Sequence, residues 1–171
     1  MKLSPREPTP DDPRLYLTQL VCGGHRFPVG IARNVVGEIF VTDNQGNYNP
    51  FNELNHVIPG ARYGFINEIE RREGFNPPVT SPAINIPHPW TRSVNGICFL
   101  DSPSRLDANS DRVGFGPFEG HLIGCEYDTQ RLIRMSLQRV DDTIQGAAYP
   151  FTDDVVSDDG PLLLGPLTCA V

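Results

Sequence analysis

The chain has 171 residues, 39% hydrophobic and 20% charged, which is enough for one domain with a core. Its net charge of -7 and pI near 5.0 exclude a nucleic-acid partner, because that affinity rests on a dense Lys/Arg surface that releases counterions. No window approaches the ~18 consecutive apolar residues of a membrane span, and the first residues, Met1 to Arg6, run into Pro and Asp where a signal peptide would have an apolar core.

Residues 1–14 combine prolines and charges without an apolar period and are expected to be a tail or linker. Residues 15–21 read as a strand. Residues 30–33 and 38–42 read as two more, divided by a Val-Val-Gly corner short enough for a hairpin. Residues 52–58 and 62–66 complete a four-strand group, so that 15–66 forms a first unit. Residues 67–93 are a Pro-rich connection whose one helical hint is the charged turn at 68–73. A second unit, 94–150, has predicted strands at 96–100, 121–127, 131–137 and 143–149, with Asp128-Thr129-Gln130 as a tight turn. Residues 151–171 read as a linker and the start of a third unit. The 16 Gly and 17 Pro punctuate short strands and turns throughout.

The units repeat. Val29-Gly30-Ile31-Ala32 is echoed by Asn95-Gly96-Ile97-Cys98, and Gly37 to Asp43 is echoed by Gly120 to Glu126, each closing on a carboxylate. A third echo begins at Gly165-Pro166-Leu167. Such repeats mark radial or stacked β architectures. The expected fold is all-β: a partial β-propeller of about two four-stranded antiparallel blades plus flanking strands. Propellers close with about four to eight blades, and an open arc leaves edges unpaired. The chain is therefore expected to be a fragment, or to dock on the remaining blades of a longer parent.

Gly24-His25-Arg26-Phe27-Pro28-Val29-Gly30 resembles the G-x-R-N-P-x-G turn of soluble quinoprotein glucose dehydrogenases and related glucose/sorbosone dehydrogenases. Thr42-Asp43-Asn44-Gln45-Gly46, Asn52-Glu53-Leu54-Asn55 and Pro59-Gly60-Ala61-Arg62-Tyr63-Gly64 resemble that family's acidic loop, its D-E-L-N strand and its G-x-x-Y-G-W turn. The second half resembles divergent dehydrogenase-like propellers of planctomycete-type bacteria. The resemblance implies a six-bladed propeller that oxidises sugars or polyols with pyrroloquinoline quinone and calcium, and a periplasmic or secreted parent. It implies that Arg26 contacts the quinone, where a planar guanidinium suits adjacent oxygen acceptors. It further implies that Glu53, with the backbone around Gln45 and Gly46, holds calcium through hard oxygens. Phe27 replaces the family's Asn, Asn52 its Asp and Phe65 its Trp. The family's catalytic histidine belongs to an earlier blade, so no catalytic residue is assigned and the isolated chain is expected to be inactive.

Other readings are structural. Arg26 can bond carbonyls at a blade junction, and Asp43 reads as a cap on the turn after its strand in preference to a metal ligand. His25, His56, His88 and His121 are scattered singly, without spacing for shared ligation. Cys22, Cys98, Cys125 and Cys169 read as small buried hydrophobes. Asp107-Ala108-Asn109-Ser110-Asp111 begins like a calcium loop, but Arg112 and Phe118 stand where Gly and Glu are needed, so it reads as a solvated turn. The rival function is a non-catalytic propeller scaffold that binds carbohydrate or protein, toward which Phe27 and Asn52 weigh. A purely structural module is the third.

Overall fold

A computed structural model describes residues 1–45, 50–102, 114–152, 156–157, 160–161 and 165–170. The described strands form two four-stranded antiparallel sheets and two small hairpins. Sheet one runs β3 (Pro28–Arg33), β4 (Ile39–Asp43), β5 (Phe51–His56) and β6 (Ile84–Pro87) in order. Sheet two runs β7 (Val94–Phe99), β8 (Leu122–Glu126), β9 (Arg131–Val140) and β10 (Thr143–Pro150). β1 (Lys2–Pro5) pairs with β2 (Tyr16–Gln19), and β11 (Val156–Ser157) pairs with β12 (Gly160–Pro161). Among the described residues, helix is confined to α1 (Glu68–Arg72), capped reciprocally by Asn67 and Glu70, and a 3-10 turn at Gly116–Phe118.

The sheets lie face to face, first strand against first and last against last: β3 packs on β7 and β6 on β10. Between them is one core of Phe40, Leu54, Ile84, Ile86, Val94, Phe99, Leu122, Ile133 and Met135, with Phe40 and Phe99 edge to face at 5.5 Å. This is the stacking of successive propeller blades. The repeated glycines explain the spacing. A Cβ on Gly30 would lie 2.0 Å from the Asn95 carbonyl oxygen of β7, and one on Gly96 would lie 2.7 Å from the Leu167 carbonyl oxygen. Asn95 and Leu167 both precede the position matching Gly30, so the same step leads from the first inner strand to the second and from the second to segment 167–170. Polar ties cross the junction at the turn between β3 and β4, where Val35 N donates to Asp101 Oδ2 (2.8 Å) and Arg139 pairs with Glu38.

Three expectations change. Residues 62–66 are not the fourth strand: the amides of Tyr63 and Phe65 donate to the carbonyls of Gly23 and Gly24 (2.9 Å each), bracing the turn ahead of β3. The fourth strand is β6, inside the Pro-rich connection, where an edge position and the terminal Pro87 let proline sit in a sheet. Residues 1–14, expected as tail or linker, contain β1, which gives residues 16–19 a partner outside both sheets.

Candidate functional site

The turn at residues 24–27 enters β3 at the inner edge of sheet one. Gly24 adopts φ +76°, and a Cβ there would lie 2.1 Å from the Tyr63 carbonyl oxygen, so the turn requires glycine. Asp43, at the end of β4, accepts from the amides of both Arg26 (2.8 Å) and Phe27 (2.7 Å). Asp43 thus caps a turn as expected, but the one ahead of β3 and not the one after its own strand. With its amide held, Arg26 is exposed, and its guanidinium has no hydrogen bond or ion pair among the described residues. Phe27 beside it is 62% exposed and offers a ring face in place of an amide.

Beneath the turn, His25 stacks on Tyr63 (4.8 Å) and sets Nε2 3.5 Å from Cys22 Sγ and Nδ1 3.7 Å from Asp43 Oδ2. Tyr63 is buried and donates to the His56 carbonyl; burial raises both its hydroxyl pKa and that of the Cys22 thiol.

Glu53 pairs in register with Asp43 on β4 and Asn85 on β6, and is 7% exposed. Its Oε2 accepts from Asn55 Nδ2 at 3.1 Å, and Gly64 borders its Oε1. Two buried amide oxygens nearby in sequence, Asn44 Oδ1 and Asn55 Oδ1, have no hydrogen-bond partner among the described residues. A buried carboxylate with amide oxygens is a donor chemistry that suits a hard cation. Asn52 is committed elsewhere: Nδ2 donates to the Thr91 carbonyl (2.8 Å) and Oδ1 accepts from Gln45 N (3.0 Å). An aspartate could not make the first bond, so Asn at this position has a structural reason. Gln45 is half-buried at the loop entrance. Gly46, the third expected cation residue, lies outside the described residues, as does the Asp107 to Asp111 stretch. Among the described residues, no group of three or more His, Cys, Asp or Glu side chains is placed to hold a metal ion.

One arginine escaped the sequence reading. Glu126, the carboxylate that closes β8, accepts from the amides of Arg92 (2.9 Å) and Ser93 (3.3 Å), as Asp43 does from Arg26 and Phe27. Arg92 therefore occupies in the second blade the place of Arg26 in the first, and it too is exposed. The repeat carried the signal: Asp43 and Glu126 align, and Arg26 and Arg92 each stand two residues ahead of the first residue of an inner strand.

No protein-family model matches the chain, and no curated protein matches it. Solved structures do. The PQQ-bound aldose sugar dehydrogenase of Streptomyces coelicolor is 19% identical, with a TM-score of 0.51 over 87% of this chain and 35% of its own. A glucose dehydrogenase-type oxidoreductase of Thermus thermophilus is 19% identical, with a TM-score of 0.52 over 92% and 42%. A further glucose dehydrogenase is 22% identical, with a TM-score of 0.53 over 82% and 41%. The likeness is one of fold, that of part of a β-propeller. The chain spans about two fifths of the length of these proteins.

Proposed function

We propose that the chain is two blades of a sugar- or polyol-oxidising quinoprotein propeller, whose activity requires the remaining blades of a longer polypeptide. The observation that carries this reading is the Arg26 turn, whose backbone is locked by Asp43 while its guanidinium is left exposed and available. Arg26 would hold the oxygen acceptors of pyrroloquinoline quinone, and Arg92 offers a second cation at the matching place of the next blade. Glu53, with the Gln45-Gly46 loop and the side-chain oxygens of Asn44 and Asn55, would hold calcium. The quinone, when bound, supplies the electron sink for alcohol oxidation. The chain's own residues position it. The fold likeness to dehydrogenases supports this reading without assigning a substrate, since one fold hosts many functions.

Equilibrium dialysis of pyrroloquinoline quinone with calcium against the chain tests it. Retention that falls about tenfold in Arg26→Ala, equivalent to ~1.4 kcal/mol, is expected; equal retention by both proteins contradicts it. Dye reduction with aldoses is expected from a polypeptide carrying all blades and not from this chain alone. The exposed ring of Phe27 and the structural commitment of Asn52 favour a second reading, a non-catalytic scaffold for carbohydrate or protein. Glycan-array binding that survives Arg26→Ala supports that alternative.

A further inference from the structure

An arginine donates hydrogen bonds and never accepts them, so one that faces a ring nitrogen dictates the protonation state of that histidine. Arg134 of β9 stands in register with Ile123 of β8 and Tyr149 of β10. Its Nη1 lies 2.8 Å from His121 Nδ1. Nδ1 is therefore the acceptor, and the imidazole is neutral with its proton on Nε2. Among the described residues, no other hydrogen bond or ion pair engages this guanidinium.

Aromatic rings close over the pair. The guanidinium carbon is 4.5 Å from the centre of the Tyr149 ring and 5.2 Å from that of Phe118, within the range of cation–π attraction. Phe118 also meets Phe151 edge to face at 5.8 Å and lies 6.1 Å from the His121 ring. Phe118, Tyr149 and Phe151 are each more than a third exposed, so water reaches the cluster. The turn that carries Phe118 is held from two sides. On the β7 side, Gly120 N donates to the Leu100 carbonyl and Leu100 N to the His121 carbonyl (2.8 Å each), while Glu119 accepts from the amide and hydroxyl of Ser102 and from Phe115 N. On the β9 side the tie is Arg134. Gly116 and Gly120, at φ +58° and +79°, flank the turn with backbone that no Cβ restrains.

We propose that His121 is a pH-sensitive latch: while neutral it accepts from Arg134 and keeps Phe118 over β9 and β10, and its protonation releases Phe118 and opens the aromatic cover shared with Tyr149 and Phe151. A proton on Nδ1 removes the acceptor and sets two cations 2.8 Å apart. The charged group that faces the imidazole is Arg134 of β9; β10 and the residue after it contribute the neutral Tyr149 and Phe151, and Glu119, on the same connection as His121, is held by Ser102 and Phe115. Burial and Arg134 both lower the His121 pKa from its ordinary 6.5. The tie is accordingly at full strength above about 6.5 and is lost as pH falls through the lower folded value. The latch goes beyond the quinone reading and does not depend on it.

The test is an NMR titration of the isotopically labelled chain from about pH 8 to about pH 5, the range in which histidine changes charge. At the upper end the His121 ring is expected as the Nε2–H tautomer, with cross-peaks between Phe118 and Arg134. Those cross-peaks should vanish with the same midpoint as His121 protonation, below 6.5. Arg134→Gln should raise that midpoint toward 6.5. His121→Gln, whose side-chain oxygen still accepts from Arg134, should keep the cross-peaks throughout the titration in a chain whose circular dichroism is unchanged. An Nδ1–H tautomer, cross-peaks that survive His121 protonation, an unmoved midpoint in Arg134→Gln, or the same pH-dependent loss in His121→Gln would each overturn the proposal.

Discussion

Glu126 is fully buried, yet it accepts hydrogen bonds from the amides of Arg92 and Ser93 and from both the amide and hydroxyl of Thr129. Burial works to raise its pKa, and these donors outweigh burial, so the carboxyl lies below its ordinary 4.5. The sign of the linkage follows. A depressed folded pKa contributes stability that is present above about 4.5 and is lost as pH falls through the lower folded value. Glu126→Gln should cost ~1–3 kcal/mol near neutral pH, because it leaves amides without an anionic acceptor. It should also flatten the acid limb of stability in urea denaturation below about pH 4.5; an acid limb equal to that of the parent chain would refute this. The role of this carboxylate was half legible. The repeat aligns it with Asp43, but which amides each would close on depends on where β3 and β7 begin, and spacing does not reveal that. Arg26 lies on the solvent side of the matching Asp43 contact. Arg26→Ala should therefore leave stability within ~0.5 kcal/mol, so its effect on quinone retention can be read without a folding defect.

At the scale of elements, the inner strands are set by glycine. With the Asn95 carbonyl oxygen 2.0 Å from the site of a Cβ, Gly30→Ala must separate β3 from β7 or distort both. A loss of ~1–3 kcal/mol is expected, measured by chemical denaturation, because overpacking an interior costs about that much; an unchanged midpoint would contradict the blade contact. β3 to β5 and β7 to β10 were readable as short runs bounded by turn residues, with the alternation that one-sided burial imprints visible in β9, whereas β5 and β8 are buried at nearly every position. β6 was not, since a four-residue edge strand ending in Pro87 carries the composition of a loop. The 62–66 stretch was misread for the converse reason: Tyr63 is buried as a strand residue would be, but its amide bonds to the Gly23 carbonyl and not to a sheet neighbour.

At the scale of the molecule, sheet one buries one face against sheet two and leaves Phe27, Val29 and Ile31 of its inner edge 62%, 43% and 68% exposed. Exposed apolar side chains along an inner strand match a surface that another blade covers, and in its absence they favour self-association. Ile31→Lys should reduce self-association in sedimentation velocity with little loss of stability; unchanged association would place the sticky surface elsewhere. The underlying geometry is one step repeated, from β3 to β7 and from β7 to segment 167–170. A nuclear Overhauser spectrum of the isotopically labelled chain measures that step directly. Cross-peaks are predicted between Gly30 and Asn95, between Gly96 and Thr168, and between the rings of Phe40 and Phe99. Cross-peaks that instead place β3 and β7 as paired neighbours in one continuous sheet, as in a closed barrel, would contradict it.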